Sequence, residues 1–183
     1  MAYQNLYMRL SLPIVLLLTL LLPGSMYGQT LQNERYGPHA RNRMDVYLPE
    51  QRDSTTAVVV LIHGGAWIIG NKKQWQPEIV DTLLHQGYAV ASINYRYACG
   101  DYQAQVQDIK QALQYINTSS EVWHLRRDHF ALVGVSAGGH LSLLYAHAFD
   151  SVKAVKAVVS LSGPTDLSDS LFHRYLKRYC IGF

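Results

Sequence analysis

The sequence predicts an α/β protein, a mostly parallel sheet with helices on both faces. Three observations carry that prediction. Apolar runs of strand length alternate with segments of helical periodicity along most of the chain. Several of the runs are continuously apolar and β-branched, as strands buried on both faces are. A Gly-x-Ser-x-Gly stretch joins one such run to a helix-like segment.

The N-terminus stands apart. Arg9 precedes Leu10–Leu22, an uncharged apolar run, and small residues follow in "PGSMYGQT". That pattern reads as a secretory signal peptide over residues 1–28, with Gly28 its last residue, although Met26 departs from the small-x-small preference. The competing reading, a membrane anchor, needs roughly 20 apolar residues to span a bilayer. The expectation is therefore export to a periplasmic or extracellular space, with no stable membrane insertion after signal removal and a mature chain over 29–183.

In that mature chain, "RMDVYLP" (43–49) alternates apolar and polar residues as a half-buried strand does. "AVVVLI" (57–62) is a buried strand, followed by a glycine-rich loop. Residues 74–87 form a helix with Ile79, Val80, Leu83 and Leu84 on one side and Gly87 as its stop. "YAVASI" (88–93) is the next strand. Residues 101–117 carry Val106, Ile109, Leu113 and Ile116 on one helical stripe. Strand 129–135, helix 137–149 and strand 155–163 complete the alternation, which implies parallel strands joined by crossover helices.

Composition fits one globular domain, at 49% hydrophobic and 16% charged residues. The net charge of +3 is scattered, so nothing calls for a nucleic acid or an anionic membrane surface. Cys99 and Cys180 either pair or serve as ordinary apolar residues. Asn117-Thr118-Ser119 matches a glycosylation sequon, a pattern that also arises by chance. No metal-ligand spacing and no phosphate loop is present, and no cofactor is implied.

Gly134-Val135-Ser136-Ala137-Gly138 lies where a strand meets a helix, the context of a nucleophile elbow. A tight turn there lifts the serine hydroxyl off the sheet, and the following helix aims its N-terminal N–H groups at developing negative charge. The plainer reading makes Ser136 a turn residue. "VVVLIHGGAW" (58–67) places Gly64 and Gly65 after a buried strand, where their N–H groups and that of Ala137 would form an oxyanion hole. Alone, that stretch is a tight glycine turn. His63 reads as a residue that orients the loop.

Together "HGGAW", "INYRY" and "GVSAGGHLSLL" resemble α/β-hydrolase-fold serine esterases of the hormone-sensitive-lipase-like type, and more closely the branch of feruloyl and acetyl esterases and kynurenine-formamidase-like enzymes. The resemblance covers roughly residues 43–183. It implies an arginine after "NY" that braces the interior, here Arg96 toward Asp108. It also implies a triad in the order serine, acid, histidine, with the last two on loops after further strands. Asp166 and His173 follow in the right order, but residues around His173 read as a helix and no strand separates the pair. His140 and His147 fall inside the helix after Ser136, and His124 and His129 precede the elbow strand.

The expected architecture is thus the N-terminal part of an α/β-hydrolase domain lacking its last strands and its acid and histidine loops. The expected activity is hydrolysis of a small-molecule carboxylic ester, short-chain or carbohydrate-linked, with this length of chain alone inactive. The alternative is a catalytically inert binding or interaction module. The apolar ending "YCIGF" favours an incomplete chain. Trp67, Trp75 and Tyr97 fit either an aromatic-lined mouth or ordinary packing.

Overall fold

The computed structural model describes residues 27–98 and 101–170, with positions 174 and 178. The apolar run of the expected signal peptide, Cys99, His173 and Cys180 lie outside these described residues.

The sheet contains β1 (Tyr27–Arg35), β2 (Arg43–Pro49), β3 (Val58–Ile62), β4 (Ala89–Ile93), β5 (Phe130–Val135) and β6 (Val155–Leu161), in the spatial order β1-β2-β4-β3-β5-β6. β4, β3, β5 and β6 run parallel, while β2 pairs antiparallel with β4, and β1 with β2. Every residue of β3 and β4 is buried, which is why both read as unbroken apolar runs.

Among the described residues, three α-helices supply the cover. α1 (Pro77–His85) lies on one face, its Val80 and Leu84 packing with Val59, Leu61 and Val90. α2 (Tyr102–Trp123) and α3 (Ala137–Leu144) lie on the other, where Ile109, Leu113, Ile116 and Leu141 join Val58, Val60, Ile62 and Leu132. Successive strand residues point to opposite faces, so the two clusters interleave along β3. Full burial of each such side chain contributes about 1.5–3 kcal/mol.

Helix ends follow local chemistry. α1 begins with Pro77 at its first position, and a short 3₁₀ turn, Lys72–Gln74, precedes it, so the expected start at residue 74 moves to 77. It ends at Gly87, whose φ of +81° favours glycine; a Cβ there would meet nothing within 4 Å, so conformation rather than space selects the residue. α2 is capped by Asp101, whose carboxylate accepts the Ala104 N–H at 3.0 Å. It runs past the expected end at 117 because Ser120 and Trp123 continue the buried stripe. The sequon therefore lies within a helix rather than on a loop. α3 passes into a single π-helical turn, Tyr145–Phe149, which together span the expected helix.

β1 is a strand with no sequence signal. Almost all of it is exposed, with only Leu31 and Glu34 half-buried, and two irregularities interrupt its register. Asn33 sits at the second, with φ 59°, and its N–H is taken by the Asp45 carboxylate at 2.8 Å. At the other end of the described sheet, β6 leaves Val159 and Leu161 exposed.

Candidate active site

The parallel strands β3 and β5 end side by side, Ile62 opposite Gly134, and the chain turns sharply after each. After β5 comes Ser136, with φ 51° and ψ −118°. Such backbone geometry costs a non-glycine residue about 1–3 kcal/mol and persists only where the surroundings enforce it. The enforcement is visible. A Cβ on Gly134 would lie 2.2 Å from the Gly138 carbonyl oxygen, and one on Gly138 would lie 2.2 Å from the Ile62 carbonyl oxygen. A Cβ on Gly139 would lie 2.6 Å from Ser160 Oγ. Strand, turn and helix thus cross at separations only glycine allows, and Ser136, two residues from each of the first two, is left exposed at the crest. Its own carbonyl accepts the His140 N–H at 3.0 Å, which starts α3 directly beneath it.

The turn after β3 comes up against this elbow. A Cβ on Gly64 would lie 3.0 Å from the Val135 carbonyl oxygen and 3.3 Å from Ser136 Cβ, so the two predicted motifs are neighbours. Gly65 has φ +115°, and a Cβ there would strike the Ile69 carbonyl oxygen at 2.2 Å. Ala66 and Trp67 continue the turn at φ 47° and 65°. One predicted donor is engaged elsewhere: the Gly64 N–H donates to Gln74 Oε1 at 2.7 Å.

His63 is fully buried and stacks on Tyr95 at 4.3 Å between ring centroids. Burial lowers its pKa to about 4, so the ring is neutral at physiological pH. Its Nδ1 donates to the Gly64 carbonyl at 2.6 Å, which leaves Nε2 as the unprotonated nitrogen facing the Arg41 guanidinium at 3.4 Å. Arg41 also donates to the Tyr95 carbonyl at 2.8 Å and the Gly70 carbonyl at 3.0 Å, with its guanidinium 3.6 Å over the Tyr97 ring. The expectation that His63 orients the loop matches this geometry.

Other candidates are placed as follows. Arg96 grips Asp108 through Nε at 2.9 Å and a terminal nitrogen at 2.6 Å, and its backbone N–H adds a third bond at 2.8 Å, as the resemblance implied. His140 meets Trp67 edge-on at 5.5 Å, and burial lowers its pKa. His124 caps α2 in the left-handed conformation, and His129 turns its ring to the Arg127 carbonyl. Asp166 is exposed after β6 and holds Ser168 through its N–H at 2.8 Å and its hydroxyl at 2.6 Å, which lowers the carboxyl pKa. Among the described residues, no histidine is hydrogen-bonded to the Ser136 hydroxyl. The aromatic residues do not form one mouth: Trp67 is buried, Tyr97 packs under Arg41, and Trp75 lines a cleft of about 480 Å³ on the α1 side with Asp45, Tyr47 and Lys72.

A buried ion pair, Lys72 Nζ to Asp45 Oδ2 at 2.5 Å, lies beside that cleft and had no counterpart in the sequence reading. The Lys72 N–H donates to Asn94 Oδ1 at 2.6 Å and its carbonyl accepts from Ser92 Oγ at 2.6 Å. Among the described residues, no helix is long and apolar enough to cross a membrane, and no group of three or more potential metal ligands is assembled.

A mostly parallel sheet covered on both faces, with a strained serine between strand and helix, defines an α/β-hydrolase fold. Solved structures agree: an alpha/beta hydrolase from a Medee basin deep-sea metagenome library superposes with a TM-score of 0.60 at 19% identity, over 74% of this chain and 57% of that one. A truncated form of a carbohydrate esterase from gut microbiota gives a TM-score of 0.60 at 29% identity, over 67% of this chain and 45% of the other. The BD-FAE family model matches residues 44–176, and the chain belongs to that family. An Arabidopsis thaliana protein named as a probable isoprenylcysteine alpha-carbonyl methylesterase is 33% identical over 150 residues, 75% of this chain and 35% of the relative. The chain thus spans about a third of that relative's length.

Proposed function

We propose that the chain is the nucleophile-bearing portion of a carboxylic ester hydrolase in which Ser136 attacks the ester carbonyl. The observation that carries this reading is the strained, exposed elbow at Ser136, φ 51°, seated against Gly64 of the loop after β3. Strain of that kind, maintained by glycines at 134 and 138, supports a catalytic use rather than a turn.

The chemistry follows from these atoms. Ser136 Oγ bonds to the carbonyl carbon, and its proton passes to a base. Negative charge gathers on the carbonyl oxygen, where the Ala137 N–H at the start of α3 and the Gly65 N–H stabilise it. The C–O bond to the alcohol breaks and the alcohol leaves with a proton. Water then cleaves the acyl-serine, releasing the acid and restoring the hydroxyl. The base and the acid that orients it belong to the part the family resemblance puts after β6. Because the Gly64 N–H is held by Gln74, the donor role passes from Gly64 to Gly65 and Ala137, and Gly64 serves by close approach.

Short-chain and carbohydrate-linked esters are the substrate class we favour, supported by the carbohydrate-esterase neighbour and by the charged run-in to the apolar N-terminal segment, which supports export to where acylated polysaccharide is met. The test compares wild type and Ser136→Ala on a nitrophenyl acetate and on an acetylated polysaccharide, with protein isolated from its own source. Release of acetate by wild type alone upholds the reading. Equal release by both rejects Ser136 as nucleophile, and release by neither supports the inert binding-module alternative.

A further inference from the structure

We propose that Gln74 is a positioning residue for the oxyanion loop. Its side chain fixes the Gly64 peptide so that the next amide, Gly65 N–H, is aimed for the ester oxyanion. The inference rests on the assignment of Ser136 as nucleophile. Follow the loop one peptide plane at a time. In the His63–Gly64 plane, the carbonyl accepts Tyr95 OH at 3.1 Å and the N–H donates to Gln74 Oε1 at 2.7 Å, so the plane is held at both ends. In the Gly64–Gly65 plane, the carbonyl is held by His63 Nδ1 at 2.6 Å. In the Gly65–Ala66 plane, the carbonyl accepts the N–H groups of Ile68 and Ile69 at 3.0 and 2.9 Å.

No peptide bond among the described residues is cis, so each N–H points opposite to the carbonyl of its own plane. With the Gly64 carbonyl turned to the His63 ring, the Gly65 N–H is directed away from it. Gly64 has no side chain to restrict rotation, and its φ and ψ are set by the bonds on its two flanking planes. Tyr95 and His63 supply two of those bonds from the buried side. Gln74 supplies the third from outside.

Gln74 Oε1 occupies a backbone donor beside Ser136, so the opposite reading, a plug that blocks the site, has to be weighed. The support beneath Gln74 favours the brace. Its turn is locked by Lys72, through the Asp45 ion pair and the bonds to Asn94 and Ser92, and the Gln74 N–H returns to the Asn71 carbonyl at 3.0 Å. A plug needs a hinge, whereas a brace needs this kind of anchorage.

The test uses the full chain from its own source, a fluorophosphonate as probe, and the variants Gln74→Ala and Gln74→Glu, the second retaining an acceptor at the same reach. We expect Gln74→Ala to speed hydrogen exchange of the Gly64 amide and to slow phosphonylation of Ser136 about tenfold or more, given that losing one oxyanion donor outright costs ~10²–10³. Half-saturating probe concentration should stay close to the wild-type value. Gln74→Glu should restore Gly64 protection and most of the rate. An unchanged or faster rate in Gln74→Ala, with wild type reactive, overturns the inference alone. A wild type that does not react overturns the Ser136 reading and this inference with it.

Discussion

The Ser136 N–H donates to the Leu161 carbonyl at 2.7 Å, tying the elbow to the last residue of β6. This bond continues the β5–β6 pairing one step beyond the strand, where Val135 lies opposite Leu161. Ser136 is therefore fastened through both peptide planes that flank its Cα: its N–H to β6, its carbonyl to the His140 N–H of α3. The strain at φ 51° is distributed into the sheet and the helix together, so the hydroxyl is presented by rigid elements rather than by a loop.

The crossing of β3, β5 and α3 leaves no room for a methyl group. Gly138→Ala brings a Cβ to 2.2 Å from the Ile62 carbonyl and must displace backbone. We expect it to cost about 3 kcal/mol or more, at the upper end for overpacking, whereas Gly87→Ala, which meets no atom but has φ +81°, should cost about 1 kcal/mol. Urea unfolding midpoints of the two variants check the ranking.

Lys72 and Asp45 form their pair almost entirely out of water, at 5% and 6% side-chain exposure. Lys72→Met leaves the Asp45 carboxylate buried without its counter-charge and should destabilise by about 3–5 kcal/mol. The double variant with Asp45→Leu should recover most of that loss, because no charge is left buried. A double-mutant cycle by chemical denaturation measures both. Recovery has a limit, since Asp45 also accepts the Asn33 N–H in β1.

Asp108 is fully buried and receives three bonds from Arg96, one of them from the backbone N–H. Arg96→Ala leaves that buried carboxylate without its counter-charge, whereas Asp108→Ala leaves a guanidinium that is 27% exposed and one unpaired backbone N–H, so Arg96→Ala should cost more, by about 1 kcal/mol. Arg96→Lys should rescue only part of that loss, because an ammonium restores the charge without the two-pronged contact. Thermal unfolding of the three variants tests the order.

Burial holds the His63 pKa at about 4 in the folded protein against an ordinary value of 6.5. The unfolded chain thus binds a proton between these values that the folded protein refuses. Stability from this group is complete above pH 6.5 and is lost as pH falls toward 4, by up to about 3 kcal/mol. His140, also lowered by burial, acts with the same sign. Denaturation midpoints of wild type and His63→Asn over pH 4–7 should converge toward acid, and parallel curves would exclude the effect.

What could be read from the sequence divides along physical lines. β3, β4 and β5 and the stripe of α2 were legible because burial writes itself into periodicity. Gly134, Ser136 and Gly138 were legible because a tight crossing admits few residue types. β1 was not, since its backbone bonds to β2 while Leu31 and Glu34 alone are half-buried among its described side chains, which leaves no apolar pattern. The Lys72–Asp45 pair spans 27 residues, and in "NKKQ" nothing marks the buried lysine from its exposed neighbour. Gln74 was missed for the same reason: its partner is a backbone N–H ten residues away, which no side-chain pattern reports.

The central claim is that Ser136 is the nucleophile, and the most direct test is to expose the full chain to a fluorophosphonate and locate the adduct by peptide mass mapping. The prediction is a single covalent adduct on Ser136 that grows in parallel with loss of ester hydrolysis and is absent from Ser136→Ala. Hydrolysis that survives in Ser136→Ala, or an adduct carried by another serine while Ser136 stays unmodified, would contradict it.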